Sequence, residues 1–105
     1  DIKRVLITTK PKHVVPPDVV AVLIEAMGPW QAKYATQMEQ IWGFAGIPGG
    51  GGILNVDSLD ELDAVMAEFP FGPFSETEIL PLVDLEGALQ RARAAIEAMA
   101  QGGGG

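Results

Sequence analysis

Two glutamates stand where a carboxylate could do proton chemistry. Glu25 lies beside an apolar helical stripe, between Leu23 and Ala26, and Glu39 is a second candidate further along the chain. A partly buried carboxylate can take a proton from the carbon next to a carbonyl and return it at another carbon. We therefore predict Glu25 as a general base, with a solvated helix-surface glutamate as the alternative.

Aromatic side chains form the second candidate set. Trp30, Tyr34 and Trp42 could wall a flat ligand, and the Tyr34 hydroxyl could donate to an oxyanion. Aromatic residues at helical spacing are also typical of an ordinary core. We predict Tyr34 as a catalytic donor. The predicted aromatic substrate contacts are the two tryptophans and three phenylalanines, Phe44, Phe71 and Phe74.

Three side chains could meet a polar part of a ligand. His13, the sole histidine, could act as an acid or base near neutral pH, although its Pro-flanked position also fits a surface loop. Lys3 and Arg4 are neighbours on the first predicted strand, and alternation lets only one of them point towards a ligand. We predict His13 and Arg4 as substrate contacts, and Lys3 stays open as the alternative to Arg4.

Composition and charge argue against several other kinds of site. The chain has 105 residues, a net charge of −7, no cysteine and one histidine. Seven Lys and Arg residues are few for neutralising phosphates, so we expect neither nucleic acid nor an anionic membrane as a partner. Metal-binding and nucleotide-binding spacings are missing, so we expect no metal and no cofactor. The cytoplasm is the default location.

Residue types and turn signals predict four strands. They span residues 3–10, 41–47, 53–56 and 76–83. The glycine run Gly49–Gly52 follows Pro48 and leads into a strand rather than a helix. We therefore predict a mobile hairpin loop there, and not a phosphate-binding loop.

Apolar periodicity predicts three helices. Gly28-Pro29 interrupts the first stripe, so we expect a kink or a short break, with segments over 17–27 and 30–40. Ser58 and Glu61 form a capping box ahead of the second helix. The third helix has five apolar residues on one face: Leu85, Leu89, Ala92, Ile96 and Met99.

The order β-α-β-β-α-β-α fits one ferredoxin-like α+β domain over residues 1–101, followed by a flexible Gly tail over 102–105. Asp84 is the predicted cap of the third helix, and Gly102 its stop. Two helices cover one face of a four-stranded sheet, and a second copy usually covers the other. We therefore predict a homodimer or higher homo-oligomer, built as a dimeric α+β barrel.

Several of these motifs together resemble the muconolactone isomerase family over residues 20–82. Trp42 matches the Trp of a Trp-Arg-x-x-Gly strand, and Phe69–Phe74 matches a Pro-aromatic run that follows a helix with Glu-Leu, here Glu61-Leu62. Glu25 falls where relatives often carry an acid. The resemblance implies a dimeric α+β barrel with a pocket between the sheet and the first helix, which binds a lactone or a related oxygenated small molecule.

The chain departs from that family at its polar positions. Gly43 stands where the family has Arg, Ile47 and Pro48 where His and Tyr are frequent, and Val83-Asp84 where His-Pro is common. The resemblance implies a cofactor-independent isomerase or cyclase acting on a lactone, polyketide or similar small carbonyl compound. Two alternatives stay open: a non-catalytic small-molecule-binding or accessory protein, and a cofactor-free monooxygenase.

Overall fold

A four-stranded antiparallel sheet carries the fold in the computed structural model, which describes residues 1–103. The main elements are, in order, β1 (Lys3–Pro11), α1 (Pro17–Lys33), β2 (Met38–Gly43), β3 (Gly50–Val56), α2 (Leu59–Ala67), β4 (Ser75–Leu82) and α3 (Leu85–Ala98). Short 3-10 helices span Ala35–Gln37 and Gly72–Phe74. The strands lie side by side in the order β2-β3-β1-β4. This arrangement confirms the predicted ferredoxin-like α+β fold.

The core lies on the face of the sheet that α1 and α2 cover. Alternate residues of β1 and β3 point to that face, since side chains switch sides at every residue of a strand. Val5 pairs with Leu54 across the two central strands, and Val65 of α2 is fully buried above them. The buried apolar residues are Val5, Ile7, Trp30, Tyr34, Leu54, Val56, Leu62, Val65 and Phe69.

Helix α1 runs unbroken through Gly28 and Pro29, so the predicted break and the second segment over 30–40 are wrong. A proline at this position leaves the carbonyl of Glu25, four residues earlier, without its helical partner. All three residues are exposed, so the free carbonyl lies on the side of the helix that water can reach. The apolar face of α1 is therefore continuous along its whole length.

Strands β2 and β3 both start earlier than predicted. β2 spans Met38–Gly43 rather than 41–47, and β3 begins with the glycines. Gly50–Gly52 pair with β1 on one side and with β2 on the other, so the predicted glycine loop is wrong over these three residues. Glycine has a low strand propensity, and pairing on both edges overrides it here. The connection between the strands is residues 44–49.

The predicted caps of α2 and α3 are confirmed. Ser58 Oγ accepts a hydrogen bond from the Glu61 N–H at 3.1 Å, and Glu61 Oε2 accepts one from the Asp57 N–H at 2.9 Å. Asp84 Oδ2 accepts from the Gly87 N–H at 3.2 Å. Because side-chain oxygens take these otherwise free donors, both helices begin where the sequence predicts.

Helix α3 extends away from the rest of the chain. Its apolar side chains are largely exposed, from 58% at Leu89 to 70% at Leu85. The radius of gyration is 18.4 Å, against about 13 Å for a compact domain of this length. A π-helical segment, Met99–Gly103, continues past the predicted stop at Gly102, and residues 104–105 of the predicted Gly tail lie outside the described residues.

The second face of the sheet is open in the described part of the chain. Leu80 pairs with Leu6 on this face and is 49% exposed. Arg4 donates to Glu39 through Nε at 2.8 Å and through a terminal nitrogen at 2.5 Å, and Asn55 Nδ2 donates to Glu39 at 3.2 Å. The open face thus combines leucines with a paired charge network.

Neither a membrane span nor a metal centre is found within residues 1–103. None of the helices there is long and apolar enough to cross a bilayer. No three His, Asp or Glu side chains in that range lie close enough together to hold a metal ion. The cytoplasmic location remains a prediction from the sequence.

Substituting Glu61→Gln should reduce the pH dependence of stability. The Asp57 N–H, and next the Gln37 amide, hold the pKa of Glu61 below its ordinary value. Such a carboxylate stabilises the fold above its unfolded-state pKa, and this contribution is lost as the pH falls through the lower folded-state pKa. Urea unfolding at neutral pH and at about pH 3 should give a smaller loss of unfolding free energy for Glu61→Gln than for the wild type.

Asp63→Asn is the matched control, because Asp63 is an exposed acid on the same helix. This variant should lose stability on acidification as the wild type does. Equal acid sensitivity of the wild type and Glu61→Gln would contradict the assigned role of the capping box.

Candidate functional site

A cavity of about 1170 Å³ lies between the sheet and α1. Ile7, Thr9 and Leu54 of the sheet line it from one side, and α1 lines it from the other. Two loops, residues 12–16 and 44–49, border its open end, since lining residues there such as Val14 are highly exposed. The α1 side consists of Val20, Met27, Trp30 and Gln31.

The cavity lies where the inward positions of β3 lose their side chains. Along β3 the positions facing the helices are Val56 and Leu54, followed by Gly52 and Gly50. Gly43 on β2 pairs directly with Gly50. Side chains of α2 fill the space above the first two positions, whereas the glycines leave the space below α1 unfilled.

Aromatic rings form one wall of the cavity. Trp30 is 8% exposed, and its Nε1–H donates to the Val65 carbonyl at 2.9 Å, which fixes the orientation of the ring. The Trp30 and Phe69 ring centroids lie 5.0 Å apart at an interplanar angle of 51°, and Phe71 follows at 6.1 Å from Phe69. Phe74 completes this wall. Such a surface suits a flat, apolar ligand.

Few polar side chains line the cavity, and no carboxylate does so within residues 1–103. Its titratable lining residues in that range are Lys10 and His13, both near the open end. His13 Nδ1 lies 3.1 Å from the Val14 carbonyl oxygen. Thr9 is buried, and its hydroxyl donates to the Gly50 carbonyl at 3.4 Å. Lys10 follows the inward-facing Thr9 on β1, so its side chain belongs to the open face, and His13 is the basic side chain beside the cavity opening.

Several of the predicted site residues meet at this cavity. The predicted residues that line it are His13, Trp30, Trp42, Phe71 and Phe74. The Trp42 ring packs over Gly51, so Trp42 contributes at the edge of β2 rather than to the aromatic wall. Phe44 lies beside the rim, where its backbone N–H donates to the Gly49 carbonyl at 3.0 Å.

Glu25, Tyr34 and Arg4 lie outside the cavity. Glu25 is exposed on α1, and Arg4 is paired with Glu39 on the opposite face of the sheet. The Tyr34 ring is buried, and its hydroxyl donates to a carboxylate oxygen of Glu68. The geometry of a single chain therefore gives these predicted site roles no support, and they remain predictions.

The second candidate base, Glu39, is held in its charged form. Hydrogen bonds from Arg4, and next from Asn55, keep the pKa of Glu39 below its ordinary value. A general base that works near neutral pH needs a shift in the opposite direction. The same ion pair raises the pKa of Arg4, so both partners stay charged on the open sheet face.

Sequence reasoning missed the lining contributed by α1 and β1. Val20, Met27 and Gln31 recur on one side of α1, at spacings that a continuous helix places close together. The predicted break at Gly28-Pro29 separated Met27 from Gln31 and hid this pattern. On β1, Thr9 follows Ile7 by two residues, and this spacing indicates that both side chains point inward.

No protein-family model matches the chain, and no curated protein matches it. Among solved structures, the chain is similar to a crystal structure of muconolactone isomerase, with a TM-score of 0.67 and 16% sequence identity. The superposed region covers 77% of this chain and 88% of that chain. This likeness shows a shared fold, which an isomerase can use as its scaffold.

Substituting Tyr34→Phe should cost about 1 kcal/mol of stability and leave ligand binding unchanged. The Tyr34 hydroxyl donates to Glu68 and also to the Ala64 carbonyl oxygen of α2, at 3.3 Å. Tyr34 does not line the cavity. Urea unfolding measures the loss of stability. Calorimetric titration with 2-naphthoate, a flat two-ring carboxylate, measures ligand binding. A large loss of affinity with unchanged stability would instead place the hydroxyl at the ligand, as the sequence predicts.

Proposed function

We propose that the protein binds a flat, mostly apolar carbonyl compound in the cavity and shifts a proton on it without a cofactor, as an isomerase or cyclase does. The supporting observation is the cavity itself, with its aromatic wall, its buried end and His13 near the opening. Ligand pockets are typically apolar spaces of roughly 300–1,000 Å³ with a few placed polar groups. The cavity has that apolar character and, at about 1170 Å³, is somewhat larger.

Proton transfer next to a carbonyl needs a base near the carbon and a positive or donating group near the oxygen. His13 can take the first role, because an imidazole accepts and returns protons near neutral pH. Gln31 can take the second, because it lines the cavity and its side-chain amide can donate a hydrogen bond to an enolate oxygen. The C–H bond breaks, its electrons form the enolate, and the proton returns at another carbon. No oxidant or reductant is needed.

A non-catalytic binding protein built on the same cavity is the second candidate. The observation that favours it is the absence of a carboxylate from the lining within residues 1–103, together with the exposure of Glu25. In that case the ligand would be held and released unchanged. The two candidates share the cavity and differ in whether a bound carbonyl compound exchanges its protons.

Exchange of the α-protons of 2-tetralone in D₂O, followed by NMR, separates the candidates. The wild type should accelerate the exchange above the buffer rate. Substituting His13→Gln should reduce this acceleration by roughly 100-fold, the usual scale for removing a general base. Substituting Glu25→Gln should leave it unchanged, because Glu25 lies outside the cavity.

Two other outcomes would change the assignment. If Glu25→Gln abolishes exchange and His13→Gln does not, the base is the glutamate predicted from the sequence. If the wild type binds 2-tetralone without accelerating exchange, the protein is a binding protein and the enzymatic proposal fails.

We also propose that two copies pack through the open sheet face. Leu6, Ile53 and Leu80 lie on that face, and Trp42 lies at its edge. Leu80 is 49% and Trp42 36% exposed in the single chain. Burying such apolar surface against a second copy removes it from water, and it also covers the sheet.

Substituting Leu80→Glu should therefore shift a dimer towards monomer in sedimentation velocity experiments at micromolar concentration. A carboxylate in the centre of an apolar interface would be buried without a partner. Val22→Glu is the matched control, since Val22 is 68% exposed on α1, away from the open face. A wild-type protein that sediments as a compact monomer would exclude the proposed assembly.

A further inference from the structure

Part of the sheet side of the cavity is made of backbone alone. Gly43 on β2 and Gly50 and Gly52 on β3 share the face of the sheet that α1 covers, and all three line the cavity. We call these three residues the glycine floor. Because no side chain rises from it, a planar ring can lie against the glycine floor in van der Waals contact.

Two residues of the glycine floor are glycine because the sheet requires it. A Cβ at Gly52 would stand 2.7 Å from the Gln40 carbonyl oxygen, and a Cβ at Gly50 would collide with the carbonyl oxygen of Trp42. Real Cβ atoms do not approach backbone oxygens so closely. The close packing of β2 against β3 therefore accounts for these two glycines without any ligand.

Gly43 has no such requirement. The nearest atom to a Cβ at this position is the Gly49 carbonyl oxygen at 3.9 Å, an ordinary van der Waals distance. Its backbone is outside the left-handed region, in contrast to Gly46 and Gly49. The fold would accept a side chain at position 43, and that side chain would occupy cavity space.

We propose that Gly43 is a specificity-determining residue, whose missing side chain selects ligands with two or more fused rings over single-ring ligands. This inference rests on the proposed ligand cavity. The cavity volume of about 1170 Å³ is more than a single ring can fill, and it exceeds the roughly 300–1,000 Å³ of most small-molecule pockets. Each further ring buries apolar area between the aromatic wall and the glycine floor.

A carboxylate series that differs only in ring number tests this inference. Calorimetric titration with benzoate, 2-naphthoate and anthracene-2-carboxylate gives the three affinities, with the carboxylate oxygen standing in for an enolate oxygen. Wild-type affinity should rise with each ring. Substituting Gly43→Leu should weaken binding of anthracene-2-carboxylate by at least about tenfold and that of benzoate by less than about twofold, because a single ring still has room elsewhere in the cavity, whereas the three-ring ligand also needs the space over Gly43.

Gly28→Leu is the control, because Gly28 is exposed on α1 with no atom within 4 Å of its Cβ position, and it does not line the cavity. It should keep the wild-type order of affinities. Gly43→Ala adds one methyl group and should give a selectivity between those of the wild type and Gly43→Leu. This variant still tests the inference if Gly43→Leu fails to fold.

The outcomes separate this inference from the proposed function. The role of Gly43 would be overturned if both Gly43 variants keep the wild-type selectivity, or if they lose affinity equally for all three carboxylates. Either result would leave the cavity as a binding site. If the wild type binds none of the three probes, the proposed function fails, and the role of Gly43 fails with it.

Discussion

The hydrogen bond from the Trp30 indole to the Val65 carbonyl fixes the position of α1 over the sheet. The donor is buried, and an unpaired indole N–H there would carry a desolvation penalty, so this contact favours one arrangement of α1 against α2. The Tyr34 hydroxyl bonds to α2 as well, one helical turn further along α1. Both links lie towards the carboxyl end of α1. The earlier part of the helix therefore faces the strand glycines, and no other element of the described chain lies between them.

The two ends of the sheet's inner face therefore have different properties. Where α2 packs, Leu54 and Val56 meet Leu62 and Val65, and the interior is filled. Where α2 has ended, glycines face α1 and the interior is hollow. The fold stays stable because the filled end holds the helices. The hollow end is then free to take a ligand.

Much of the fold could be predicted from local signals in the sequence. The Ser58 and Glu61 capping box and the Asp84 cap mark helix starts, because the same side-chain oxygens that define those motifs satisfy the free N–H groups. The strand glycines could not be predicted in this way. Gly50–Gly52 are held by pairing with β1 and β2, residues far away in the chain, and glycine itself has no preference for a strand.

The position of the predicted base depends on the angle between residues around α1. Successive residues of an α-helix are rotated by about 100°, so Glu25 lies about 140° around α1 from Trp30, which packs into the core. A continuous helix therefore places Glu25 away from the cavity once Trp30 is known to be buried. From the sequence, Glu25 is placed beside the apolar stripe by its neighbours Leu23 and Ala26, a criterion that does not include the angle around the helix.

The charge pattern of the two sheet faces bears on the kind of ligand. Arg4 and Glu39 neutralise one another on the open face, so this arginine is not available to an anion in the cavity. Gly43 adds neither charge nor side-chain volume to the lining. His13 lies near the opening. Under the proposed function, such a lining would take a ligand whose rings fill the interior and whose oxygen lies at the entrance.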